Sequence, residues 1–197
     1  AILSSRINEL GGTILIFDMH SEYVKSDLPN KNIIPTKLNP LYLDALEVAK
    51  LIKVSEEAYV QERYLRRAWN KAIKEIKELK IKVEIEEFFD RVLEILEKEA
   101  RSKEIDSSTR NSIYKVIAKL EDFLARYKEI LDFEISKITE RIKEKRINII
   151  DLGDLDEDFA DIIVSHTLRN ILYEWKSMKI KEKTLKPIFI VLEEAHI

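Results

Sequence analysis

The sequence predicts an α/β fold: a parallel sheet whose strands are separated by a large all-helical insertion. Three observations carry this. Short, strongly apolar runs over residues 13–18, 147–152 and 187–193 read as strands of one parallel sheet, the last of them buried on both faces. Between the first two lies a stretch, residues 44–146, without a single proline or glycine, whose apolar residues recur at helical spacing. Apolar residues make up 45% of the 197, enough for a packed core.

The elements follow in order. Residues 1–10 carry Ile2, Leu3, Ile7 and Leu10 at helical spacing and are stopped by Gly11-Gly12. The strand 13–18 leads into a broken stretch to Tyr42, where Pro29, Pro35 and Pro40 impose turns and Ile33-Ile34 offers a short strand. The spacing then predicts helices near 44–53, 56–80, 84–101 and 107–130, with Ser55 and Asp106 as N-caps and a shorter connecting helix over 134–145. Their apolar stripes are broad, so the helices are expected to bury mainly one another. After the strand 147–152, Asp154 or Asp156 caps a helix over 157–177 with Phe159, Ile162, Ile163, Thr167, Leu168, Ile171 and Leu172 inward, and Trp69 and Trp175 read as core or interface anchors. A lysine-rich loop, Lys176 to Lys186, precedes the last strand. This divides the chain into 1–43, the helical bundle 44–146 and 147–197.

Composition narrows the function. Charged residues reach 36% yet nearly cancel, at net −3, so nucleic-acid contact would have to come from a local patch. Zero cysteines exclude disulfide frameworks and thiolate zinc sites. Abundant Lys, Glu and Ile fit a heat-adapted cytoplasmic protein, and no apolar run approaches the ~20 residues needed to cross a bilayer. Because the chain starts without methionine inside a helix and stops at a strand tip, it is expected to be a piece of a longer polypeptide.

The last run, Pro187-Ile188-Phe189-Ile190-Val191-Leu192-Glu193-Glu194-Ala195-His196, is the most informative. Two carboxylates stand at the carboxyl end of a parallel strand, where open α/β sheets place their ligands. This is the Walker B pattern of nucleotide hydrolases: Glu193 on the Mg²⁺ side and Glu194 as the base or water-orienting group. Asp18, ending the neighbouring strand, could reach the same crevice or merely cap the following loop. His20, Glu22 and His196 are weaker candidates for nucleotide contact, and Asp151 ends a further strand. Lysines 176–186 and Arg63, Arg66 and Arg67 are ambiguous between solvated surface and DNA contact.

Four pieces together resemble the HerA–FtsK group of DNA-translocating ATPases. They are Leu15-Ile16-Phe17-Asp18-Met19-His20-Ser21-Glu22-Tyr23, similar to a D-x-H-G-E-Y stretch; Ile149-Ile150-Asp151-Leu152-Gly153-Asp154-Leu155-Asp156; the helix from Ala160 to Arg169; and Glu193-Glu194-Ala195-His196. The resemblance implies a partial RecA-like P-loop ATPase sheet and an ATP- and Mg²⁺-dependent hexameric translocase or helicase. It would act on double-stranded DNA with the NurA nuclease in double-strand-break repair. Ser21 stands where the family has glycine, and the chain contains no G-x-x-x-x-G-K-[ST] loop, so this piece alone is expected to be inactive as an ATPase. Two alternatives remain: a metal-dependent hydrolase or nuclease whose ligands are Asp18, His20, Glu22, Glu193, Glu194 and His196, and a non-enzymatic helical interaction module.

Overall fold

The computed structural model describes residues 2–79, 83–180 and 187–193. Contacts divide the chain into two units, residues 1–36 with 136–197, and Lys37–Ile135. The helical part, expected over 44–146, thus starts earlier and ends earlier. Its two ends are tied together by a parallel bridge between Leu38 and Leu131, and by Asn39, whose amide donates to the carbonyls of Phe133 and Ile135.

In the sheet unit, α1 (Ile2–Glu9) leads to β1 (Thr13–Asp18), a short α2 (Glu22–Lys25) and β2 (Lys31–Ile34); then come α7 (Ile138–Arg141), β3 (Ile147–Asp151), α8 (Glu157–Ile180) and β4 (Ile188–Leu192). The four strands run parallel in the order β2-β3-β1-β4. Expected strands 13–18, 147–152 and 187–193 therefore share one sheet, and Ile33-Ile34 fall in β2. β1 is central and buried throughout, and Ile14, Ile16, Ile147 and Ile149 pack with Leu28 under Ile7 and Val191.

β4 departs from expectation. Among the described residues it pairs with β1 alone, at the end of the strand order, and Phe189, Ile190 and Leu192 are exposed. An apolar run reads the same for a central and an edge strand, so the sequence pattern could not separate them. α1 follows its apolar spacing only at Ile7: Ile2 and Leu3, and Leu10 just after the helix, are exposed while Ser4 and Asn8 are buried. Asn8 explains this, since its amide donates to the carbonyls of Gly12 and Lys145 and its oxygen accepts from Asn30. Gly11, at φ 81°, ends the helix in the left-handed region that glycine enters without strain. On α8, capped by Asp156 accepting the Phe159 N–H at 2.9 Å, Phe159, Ile163, Thr167 and Ile171 are buried as expected, but Leu172 and Trp175 are exposed.

A polar anchor sits inside the sheet. Asn148 of β3 is fully buried; its amide donates to the carbonyls of Ile14, Lys143 and Arg146, and its oxygen accepts from Asn32 and the Lys143 N–H. Full satisfaction is what makes a polar side chain tolerable there.

The helical unit contains α3 (Ala45–Leu51), α4 (Tyr59–Leu79), α5 (Ile85–Ala100) and α6 (Ser107–Tyr127). α4 starts three residues later than expected, because Ser55 spends its hydroxyl on the Glu57 N–H within a turn. Asp106 does cap α6, accepting the Thr109 N–H at 2.8 Å. Trp69 packs edge-on against Phe88 and Phe89, with ring centroids at 4.8 and 5.7 Å, and its indole N–H donates to the Leu43 carbonyl. Phe123 and Phe133 extend the cluster, which α4, α5 and α6 close around.

Candidate active site at the carboxyl edge of the sheet

Parallel strands end their carboxyl tips on one side, and register decides which side chains meet there. Asp18 pairs with Asp151 across β1 and β3, while Phe17 pairs with Leu192 across β1 and β4, so Glu193 follows at the level of Asp18. Three acids thus stand side by side along one edge. The Met19 N–H donates to Glu193 Oε2 at 3.2 Å, which fixes the glutamate beside the end of β1.

Asp18 is fully buried. One carboxylate oxygen accepts the Glu22 N–H and the other the Val24 N–H, both at 2.9 Å. Of its two readings, the structure displays the loop-capping one: the side chain folds residues 19–25 back over the sheet edge. Charge-assisted acceptance of two amides is among the stronger polar arrangements a buried carboxylate can make.

Ser21 holds the next joint. Its backbone lies in the left-handed region at φ 57°, which accounts for glycine at this place in the resembling family. The serine hydroxyl donates to Asp151 Oδ1 at 2.7 Å, and the Gly153 N–H donates to the same oxygen at 3.2 Å. A Cβ on Gly153 would overlap Ser21 Oγ, so a side chain there would push the hydroxyl from its place beside Asp151. The residue type at 21 therefore does more than alter loop freedom: it ties the loop after β1 to the loop after β3. The sequence signal for this was the serine itself, in a slot whose geometry favours glycine.

Electrostatics mark Glu193 as the unusual acid. Burial pushes its carboxyl above the ordinary range; Asp18 and Glu22 push the same way, while the Met19 N–H and His20 oppose. The Tyr23 phenol is raised too, by burial and then by Glu193, Asp18 and Glu22. His20 and Glu22 are exposed on the same loop. The edge therefore gathers Asp18, His20, Glu22 and Glu193, with Asp151 one strand over. Glu194 and His196 lie outside the described residues, as do lysines 181, 183 and 186. Among the described residues, no three acids or histidines converge closely enough to hold a metal ion by themselves. No helix of the described residues is long and apolar enough to cross a membrane.

Comparison with known proteins agrees with this arrangement. Residues 1–171 match the family described as helicase HerA, central domain. The whole chain aligns at 45% identity with the DNA double-strand break repair helicase HerA of Sulfolobus acidocaldarius, covering 41% of that protein. It aligns at 43% with the same-named protein of Sulfurisphaera tokodaii and at 41% with that of Saccharolobus solfataricus, covering 41% and 40% of them. The chain thus spans about two-fifths of the length of these curated relatives. With the parallel sheet and its acid edge in place, the chain belongs to the HerA helicase central-domain family.

Proposed function

We propose that this chain supplies part of the ATPase core of a DNA helicase that works in double-strand-break repair, the activity for which its relatives are named. The observation that carries the reading is Glu193 at the tip of β4, held by the Met19 N–H beside a loop that Asp18 has locked in place. In this reading Glu193 serves the Mg²⁺ side, and Glu194 takes the proton of the attacking water or orients it. Asp18 shapes the loop, and His20, Glu22 and His196 line the nucleotide.

The residues present fit Mg²⁺. Its usual protein share is one or two carboxylates, the rest being phosphate and water, so a full ligand cage is not required. Burial first, and Asp18 and Glu22 after it, lift the Glu193 carboxyl, and the negative charge gathered there is what a divalent cation would offset. When bound, Mg²⁺ neutralises charge building on the phosphates. The metal-hydrolase alternative draws two of its ligands, Glu194 and His196, from outside the described residues, and no specific observation favours it. A phosphate-binding loop would come from elsewhere in the longer protein. Double-stranded DNA as substrate, a hexameric ring, the NurA nuclease as partner and a cytoplasmic location complete the proposal.

The test is made in the complete protein. Glu194→Gln should lower ATP hydrolysis on the order of a hundredfold, the scale of a lost general base, while DNA binding persists. Glu193→Gln should raise the Mg²⁺ concentration needed for half-maximal turnover. Wild-type hydrolysis by Glu194→Gln would remove the assignment of the base.

A further inference from the structure

The outer face of α4 is a cationic ladder that is only partly paired. Arg63, Arg66, Arg67, Lys71, Lys74 and Lys77 are all exposed, whereas Tyr64, Leu65, Ala68, Trp69 and Ala72 of the same helix are buried. At 3.6 residues per turn the six cations fall within about 140° of the helix circumference and run for ~21 Å. Over residues 59–74 there are five cations and one carboxylate, Glu62, a local charge of +4 in a chain of net −3.

The pairing is uneven, and the unevenness is informative. On neighbouring helices Arg91 is gripped by Glu75 and Glu94, Arg101 by Glu97, and Lys128 by Glu86. On α4, Arg66 meets Glu62 and Lys74 meets Glu78. Arg63 and Arg67, by contrast, have no carboxylate partner among the described residues. Both guanidinium groups lie over the ring of Tyr64, at 5.2 and 5.8 Å, and that ring is itself buried. Like charges four apart on a helix repel, so Arg63, Arg67 and Lys71 in succession destabilise the free helix. The tyrosine platform nevertheless holds two guanidinium forks in place with their donors unspent.

We propose that this face of α4 binds the phosphate backbone of duplex DNA, as a contact surface separate from the carboxylate edge of the sheet. A polyphosphate matches a repeating ladder of cations at ~6 Å steps; ~21 Å lies along about six base-pair steps of one strand. Arginine forks take phosphate oxygens two at a time. Protein partners instead need apolar anchors at the centre of their footprint. On the described side chains of this face, Tyr59 is the exposed large apolar residue, and it sits at the helix end rather than among the cations. The proposal rests on the DNA-helicase reading for its ligand, not on the roles of Glu193 and Glu194.

The test is fluorescence anisotropy of a labelled 30-base-pair duplex titrated with the full chain between 50 and 200 mM salt, without nucleotide or Mg²⁺. Arg63→Gln with Arg67→Gln should weaken binding at least ~10-fold and flatten the slope of log affinity on log salt by about 1.8, two phosphate contacts' worth. Arg63→Lys with Arg67→Lys should retain most of the affinity. Should the glutamine pair unfold the chain by circular dichroism, Lys71→Gln with Lys74→Gln decides by the same criterion. Unchanged affinity and slope would overturn the proposal, as would a wild-type chain that shows no salt-dependent binding. Displacement of the duplex by polyglutamate as readily as by unlabelled duplex would also overturn it, and would assign the face to an acidic protein. Because no nucleotide is present, failure here leaves the hydrolysis test of Glu194 untouched.

Discussion

The sheet unit and the helical unit solve the same burial problem to different extents. In the helical unit the large side chains turn inward onto Trp69, Phe88 and Phe89, and the exposed large apolar residues are scattered singly, as at Leu46, Tyr59 and Tyr114. In the sheet unit they gather: Ile2 and Leu3 on α1 with Leu10 just after it, Leu172, Tyr173 and Trp175 on α8, and Phe189, Ile190 and Leu192 on β4. Polar groups lean the other way. The sheet unit buries Asp18, Asn148 and Asn8 with their partners supplied, while the helical unit buries Asn39 and Glu47 near its entry and carries its arginines and lysines on the surface, some of them in ion pairs. The lesson is that helical-unit stability is a matter of apolar packing, and sheet-unit order is a matter of a few buried polar joints.

The strongest way to break that contrast is Trp69→Ala. It empties the centre of the aromatic cluster and orphans the Leu43 carbonyl, so a loss of about 3–5 kcal/mol is expected. Denaturant unfolding followed by far-ultraviolet circular dichroism checks this. A loss under about 1 kcal/mol would mean the packing account of the helical unit is wrong.

On the sheet side, Asp18→Ala leaves the Glu22 and Val24 N–H groups without their acceptor in a buried setting, an expected cost of about 2 kcal/mol. Asp18→Asn keeps one acceptor oxygen and should cost roughly half as much. Equal costs for the two would show that charge, rather than the pair of hydrogen bonds, is what the loop requires.

These joints are where sequence reading ran short. Strand and helix types were readable because periodicity reports burial: the runs at 13–18 and 147–152 and the stripes of α4, α5 and α6 all lie where spacing placed them. The acid edge followed from parallel topology, since strand ends must line up once three strands run the same way. The exposure of β4 was not readable, because neighbour number in a sheet leaves no mark on an apolar run. Nor was the bond from Ser21 to Asp151, which joins residues 130 positions apart through an unusual backbone angle. Nor was the role of Asn148, a lone amide in an apolar run, which five hydrogen bonds from scattered segments make an anchor.

Ser21 allows a finer test. Ser21→Ala removes the 2.7 Å bond to Asp151 and keeps the left-handed backbone, so it should cost about 1 kcal/mol. Ser21→Gly loses the same bond but relieves a left-handed conformation that costs a side chain roughly 1–2 kcal/mol, so the terms nearly cancel. Thermal melts of the two variants should therefore separate, with glycine close to the wild type. If alanine proved as stable as serine, the bond to Asp151 would contribute nothing measurable.

The smallest effect belongs to the ion pairs of the helical unit. Arg91 of α5 grips Glu75 of α4 through Nε at 2.6 Å and Nη2 at 3.1 Å, and donates a third bond to Glu94 at 2.8 Å. The hydrogen bonds from Arg91 hold the Glu75 carboxyl below its ordinary value of 4.5. A carboxylate lowered on folding stabilises the protein above its ordinary value, and that contribution fades as pH falls through the lowered one. The side chains are 44% and 29% exposed, so solvent screening limits the pair to about 0.5 kcal/mol, its two-pronged geometry notwithstanding. Arg91→Gln should accordingly destabilise slightly at pH 7, with the gap to wild type closing in acid below the usual glutamate range and shrinking in 1 M salt. Melts at pH 7 and pH 3 measure it. A gap that persisted unchanged at pH 3 would mean that Arg91 acts through the packing of its stem against α4, and that even the charged surface of the helical unit is held by apolar contact.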